Sequence, residues 1–156
     1  MELWIDSREK QKAIQKILAE FNKQGVKYAS SKLFVGDYQS LDNPRLVVDR
    51  KQNLSELVSN VCQQHERFRN ELIRANDMGI KIIFLCEHGG QIKTLEDVPK
   101  WNNPRLKVSP LAMSGERLYR VLSAMATKYN TEFLFCDKRN TGKEIIRILS
   151  NESNSI

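Results

Sequence analysis

The chain has 156 residues, 40% of them hydrophobic and 28% charged, and its 25 Lys and Arg against 19 Asp and Glu give a formal net charge of +6. That length and composition fit one soluble globular domain with its own core and exclude a disordered or fibrous chain. No apolar run approaches membrane-spanning length, and Met1-Glu2-Leu3-Trp4 lacks the basic and apolar regions of a secretory signal. Cys62, Cys86 and Cys136 show no metal-ligand spacing, so an intracellular, reducing compartment is expected and membrane association is not. The positive charge is compatible with a polyanionic partner without establishing one.

Leu3-Trp4-Ile5 reads as a short buried strand ending at Asp6. Ile14, Ile17, Leu18 and Phe21 then recur at helical spacing, Gly25 marks the stop, and Val26 to Ala29 is the next strand candidate. Asp6 and Ser7 suit a helix N-cap and Glu9 suits compensation of the helix dipole.

The stretch from Leu33 to Lys51 predicts two short strands joined by a tight turn. Phe34-Val35 leads into Gly36-Asp37-Tyr38, Leu41 to Arg45 supplies turn chemistry, and Leu46-Val47-Val48 is apolar. A hairpin centred on Asn43 sets position 37 opposite position 49, with the two Cβ atoms about 5 Å apart. Alternation puts Lys51 on the face of Asp49 and Arg50 on the other. Two acids and an ammonium at one strand end can hold a divalent cation and steady a water beside it. As a bare triplet Asp-x-Lys recurs by chance in many chains, so its weight comes from the flanks.

Leu54, Leu57, Val58, Val61 and Cys62 form one apolar helical face, and Asn53-Leu54-Ser55-Glu56 is capping-box-like, which gives Glu56 a structural role. A second helix spans about Gln64 to Asp77 with Phe68, Leu72 and Ala75 inward. Its other faces carry Arg67, Arg69 and Arg74, with Glu66 and Glu71 as their charge partners on a solvated surface and His65 exposed. Ile80 to Cys86, broken only by Lys81, suggests a strand covered on both faces. A long irregular stretch then runs from His88 to about Met113 and contains Lys93, Lys100, Trp101, Arg105 and Lys107. Cations interleaved with an aromatic suit a nucleic-acid strand, while Trp101 pinning the loop to the core explains the same residue. Ser114 caps a helix bearing Leu118, Val121, Leu122 and Met125, Glu132 to Cys136 is the last strand, and Thr141-Gly142-Lys143-Glu144 opens the last helix as a capping box. A single domain over residues 1–150 is expected, with a polar, frayed tail at 151–156 and no helix-hairpin-helix module.

Three blocks occur in one order: Ile5-Asp6-Ser7-Arg8-Glu9, Val35-Gly36-Asp37-Tyr38, and Val48-Asp49-Arg50-Lys51 ahead of Leu54-Ser55-Glu56-Leu57. Together with Arg67-Phe68 and the strand Ile82 to Leu85 they resemble the XPF-type structure-specific endonuclease domain of the PD-(D/E)XK superfamily. Two departures stand out: Asp49 replaces the family's usual Glu, and the acid after the Lys comes one residue late, as Glu56 behind Ser55.

The resemblance implies a restriction-endonuclease-like α/β fold, a central mixed sheet flanked by helices. It implies a nuclease dependent on Mg²⁺ or Mn²⁺ that hydrolyses branched DNA (flap, fork or Holliday junction), as in DNA repair or recombination. Asp37 and Asp49 would be the metal ligands, with Arg50, Lys51, Asp6 and Glu9 in the catalytic neighbourhood. Arg67 would contact phosphate, and a homodimer would form through segments after Ser114; Lys107, from the basic loop and not from the resemblance, is a further expected phosphate contact. A branched-DNA-binding module that no longer cuts is the main alternative, and a sequence-specific restriction-type nuclease is another. Non-cutting relatives typically lose the acids and the Lys, all of which are present in this chain.

Overall fold

Six strands form one mixed sheet in a computed structural model that describes residues 1–153. In chain order they are β1 (Glu2–Asp6), β2 (Lys27–Ser31), β3 (Tyr38–Ser40), β4 (Asn43–Lys51), β5 (Lys81–Glu87) and β6 (Glu132–Cys136). Across the sheet the order is β2-β1-β3-β4-β5-β6. The pairs β1/β2, β4/β5 and β5/β6 are parallel, whereas β1/β3 and β3/β4 are antiparallel. The helices are α1 (Gln15–Lys23), α2 (Leu54–Cys62), α3 (His65–Asp77), α4 (Gly115–Tyr129) and α5 (Thr141–Ser153), the succession expected from hydrophobic periodicity.

The apolar run of β4 is buried on both faces, which is why it does not alternate with polar residues. Leu46 and Val48 join Ile83 and Leu85 of β5 in a core closed by Ile17 and Phe21 of α1 and by Ile145, Ile148 and Leu149 of α5. Val47, Ile82, Phe84 and Cys86 point the other way, into a core closed by Leu54, Leu57, Phe68, Leu72, Leu118 and Leu122 of α2, α3 and α4. Phe84 stacks on Phe133 at 5.0 Å between centroids and lies 5.2 Å from Phe68. Burying each such ring stabilises the fold by about 2–3 kcal/mol. Among the described residues no helix is long and apolar enough to cross a membrane.

The β3–β4 hairpin has the expected register by an unexpected route. Tyr38 pairs with Val48 and Gln39 with Val47, but Ser40 pairs with Asn43. The turn is therefore Leu41-Asp42, not a loop centred on Asn43, and Pro44, Arg45 and Leu46 bulge out of this pairing. One further step brings Asp37 opposite Asp49. Residues 34–37 are not a strand as the sequence suggested, because Gly36 sits at φ +76°. A Cβ there would lie 2.9 Å from Val47 Cγ2, so only glycine fits both the turn and the contact.

Two helix starts differ from expectation. α1 begins at Gln15 behind a 3₁₀ turn (Gln11–Ile14), so neither Asp6 nor Ser7 caps it. α5 follows a 3₁₀ turn (Lys138–Asn140) whose backbone is bonded by Asp137, and Thr141 donates its hydroxyl to Glu87 Oε2 (2.6 Å) instead of forming a capping box. Ser114 does cap α4, accepting from the Arg117 N–H. The stretch after β5 holds two 3₁₀ turns, Leu95–Lys100 and Pro104–Lys107, and Trp101 is half-buried against the core. Residues 151–153 of the expected tail belong to α5, and 154–156 lie outside the described residues.

Candidate active site

The carboxyl end of β4 sorts its three charged residues by alternation. Asp49 and Lys51 share the face of Val47, toward α2 and α3, while Arg50 shares the face of Val48. Asp37 is clamped at the strand's side: its N–H donates to Val48 O (2.9 Å), its C=O accepts from Asp6 N–H (2.8 Å), and its Oδ2 accepts from Arg50 N–H (2.8 Å). The Asp37 and Asp49 carboxyls lie within hydrogen-bonding reach of each other. Burial, then the charges of Asp49 and Glu9, push the Asp37 pKa well above the usual carboxylate range. Lys51 Nζ is 3.7 Å from Asp49 Oδ1 and lies over the rings of Phe68 (5.4 Å) and Phe84 (5.7 Å). Burial disfavours its ammonium, but Asp49, Glu56, Glu71 and Asp37 outweigh that and raise its pKa. These carboxylates thus favour the charged, hydrogen-bond-donating form of Lys51.

Glu71 is the functional candidate that helix patterning misses. On sequence it is a surface partner for arginines; in the fold it is half-buried and close to Asp49. Burial and Asp49 raise its pKa to about 7. Its i+3 neighbour Arg74, also expected on a solvated surface, lines the same cleft, with its guanidinium over the exposed Phe34 ring at 5.7 Å. Only the three-dimensional approach of α3 to the end of β4 reveals either residue.

Behind the sheet, Arg50 is a hub. Its guanidinium donates to Glu9 (3.0 Å) and Glu87 (2.7 Å), while Tyr38 Oη donates to Glu9 Oε2 (2.7 Å). Burial opposes the charge, but these bonds more than offset it and hold Arg50 protonated. Glu9 is therefore fixed from two strands rather than placed in a helical turn. Asp6 is fixed too. Its Oδ1 accepts from Leu33 N–H (2.9 Å) and its Oδ2 from Arg8 Nε (2.7 Å); burial opposes its charge, yet these bonds lower its pKa. Asn53 caps α2 as expected, its Oδ1 accepting from Glu56 N–H (2.8 Å), while the Glu56 carboxylate accepts from Gln52 N–H (3.0 Å) and not from the cap's own N–H.

Asp37, Asp49 and Glu71 line a cleft of about 430 Å³ that the exposed Arg8, Arg67 and Arg74 also line, along with Asp6 and Glu9. Lys51 opens into an adjoining cleft of about 240 Å³, and Arg67 and Glu71 line both. Arg50 lines neither, and Lys107 stands apart on the exposed Pro104–Lys107 turn. Among the described residues no three His, Cys, Asp or Glu side chains form a ready metal cage. Asp37 and Asp49 nevertheless fit a hard cation. Two carboxyls in mutual contact need a proton or a cation between them, and an all-oxygen pair suits Mg²⁺ or Mn²⁺.

Strand order, helical layers and acids gathered at the end of β4 define a restriction-endonuclease-like α/β domain. The ERCC4 domain profile matches residues 5–149, and the chain belongs to that family. No curated protein sequence matches it closely. Its fold is similar to XPF from Aeropyrum pernix, with a TM-score of 0.67 at 19% identity over 99% of this chain and 66% of that one. It is likewise similar to the same protein in complex with DNA, with a TM-score of 0.67 at 19% identity over 97% of this chain. There the chain spans 64% of the relative's length.

Proposed function

We propose that this chain is a DNA endonuclease dependent on Mg²⁺ or Mn²⁺ that hydrolyses phosphodiester bonds in branched DNA, such as flaps, forks or Holliday junctions. The observation that carries this reading is the convergence of Asp37, from the turn before β3, with Asp49 and Lys51 at the end of β4, beside an open cleft lined by the exposed Arg67. Family membership and the likeness to a DNA-bound XPF support DNA as the partner. Asp37 and Asp49 would hold the cation, which when bound supplies Lewis acidity at the scissile phosphate. The chain's own residues do the rest. Lys51, held protonated, donates to the attacking water or to a phosphate oxygen. Arg50 acts by position: its N–H orients Asp37 and its guanidinium fixes Glu9. Asp6 anchors the segment that carries Asp37, and Arg67 neutralises a phosphate at the cleft.

The reading includes a homodimer. α4 leaves Ala124 exposed beside Val61, Phe68, Met125 and Tyr129 in a shallow apolar groove of about 240 Å³. Ile146 of α5 packs against the chain's own second core, so Ala124→Arg is the cleaner probe of association. Light scattering of wild type and variant tests it: a monomer mass for the wild type at every concentration excludes the dimer.

The activity is tested by incubating the protein with end-labelled flap, fork, four-way and linear substrates, with and without Mg²⁺ or Mn²⁺. Metal-dependent cutting of a branched substrate in preference to linear duplex is expected. Binding without cleavage of any substrate would leave a junction-binding module.

A further inference from the structure

From residue 98 to residue 131 the chain carries Lys100, Arg105, Lys107, Arg117, Arg120 and Lys128 against one acid, Glu116. Six cations less one acid make +5 of the chain's total of +6. The same stretch exposes Leu106, Val108 and Leu111, the last two 83% and 91% open to solvent. Its loop is a fixed mount. Buried Asn103 accepts from Arg105 N–H (3.0 Å) and donates to Met113 O (2.9 Å), tying both ends together. Gly115 seats the following helix so closely that a Cβ would lie 2.5 Å from Val98 O.

Between this loop and α2 runs a groove of about 600 Å³, walled by Val58 and Cys62 on one side and by Pro104, Arg105, Leu111 and Met113 on the other. It uses a different face of α2 from Asn60, which borders the Lys51 cleft. Arg105 and Lys107 are exposed, and neither joins any ion pair among the described residues. Exposed apolar side chains gathered in this way mark a contact surface. Arg105 on the groove wall and Lys107 on the same turn, with no acid lining the groove, disfavour self-association of this face and favour a polyanion. A duplex stacks its bases out of reach, whereas an unpaired strand offers apolar base faces and phosphates together.

We propose that this groove binds an unpaired nucleic-acid strand, with bases against Leu111, Val58 and Met113 and phosphates at Arg105 on its wall and at Lys107, which lies outside the groove on the same turn. The proposal rests on the branched-DNA reading above, since a branched substrate presents unpaired strands, but it concerns a surface separate from the acidic cleft.

Fluorescence anisotropy in EDTA, with labelled oligo(dT) and a blunt duplex of equal length, tests it independently of cleavage. Leu111→Asp changes a side chain too exposed to threaten folding. It is expected to weaken oligo(dT) binding about tenfold and to leave duplex binding within about twofold. Arg105→Ala with Lys107→Ala is expected to reduce the oligo(dT) salt slope by about 1.4. Unchanged oligo(dT) affinity in Leu111→Asp, or an equal loss for duplex, overturns the proposal. Wild-type affinity for an abasic strand equal to that for oligo(dT) overturns it as well. If the wild type cuts nothing but Leu111→Asp still loses oligo(dT), the groove stands and the nuclease reading falls. If the wild type cuts and Leu111→Asp binds oligo(dT) normally, the reverse holds.

Discussion

Replacing Glu71 by Gln should stabilise the metal-free protein at alkaline pH. Burial, followed by the neighbouring charge of Asp49, raises the Glu71 pKa from 4.5 to about 7. The folded state thus binds its proton more tightly than the unfolded state, and the sign follows by linkage. The contribution is fully present below the unfolded value of 4.5, declines as pH rises, and is gone above about 7. At about 1.4 kcal/mol per pH unit the ceiling is about 3 kcal/mol, and screening by water in the open cleft brings it to about 1–2 kcal/mol. Gln keeps the length and can donate to Asp49 without adding charge. Urea denaturation in EDTA should therefore show Glu71→Gln more stable than wild type by about 1–2 kcal/mol near pH 8, with the gap narrowing toward about pH 5. A gap absent near pH 8, or equal at both values, would refute the reasoning.

Removing the buried hub with Arg50→Ala leaves Glu9 and Glu87 without their cation and should cost about 3–5 kcal/mol, read as a lower urea midpoint. Gly36→Ala forces a side chain into φ +76° and against Val47; a loss of about 1–3 kcal/mol is expected, together with slower cleavage because Asp37 is displaced. Arg67→Ala should reduce the duplex-binding salt slope by about 0.9, measured by anisotropy across a salt series, and an unchanged slope would return Arg67 to a solvated surface.

The sequence makes the layers and much of the site legible because their causes are local or periodic. Alternation along β4 separates Arg50 from Asp49 and Lys51, and the apolar spacing of α2, α3 and α4 marks the faces that close one core. The pairing of position 37 with position 49 is legible too, but through compensation: an earlier turn and the irregularity at residues 44–46 together restore the register that a symmetric loop would give. Contacts between distant segments are not legible. Glu71 carries the pattern of a helix-surface acid, and its approach to Asp49 depends on how α3 packs. Thr141 opens an acceptable capping box by sequence, yet the buried carboxylate of Glu87 needs a donor more than the helix terminus does. Glu9 similarly leaves the helix and pairs with Arg50, because a buried guanidinium without carboxylates would be costly.

The most direct measurement is single-turnover cleavage of the preferred branched substrate by Asp49→Asn and Lys51→Ala at saturating Mg²⁺, beside binding of the same substrate in EDTA. Asp49 is assigned to the cation and Lys51 to the attacking water, with little share in affinity for either. Cleavage should fall about a hundredfold or more in each variant while binding stays within about twofold. Cutting at the wild-type rate by both variants would contradict the assignment of the active site.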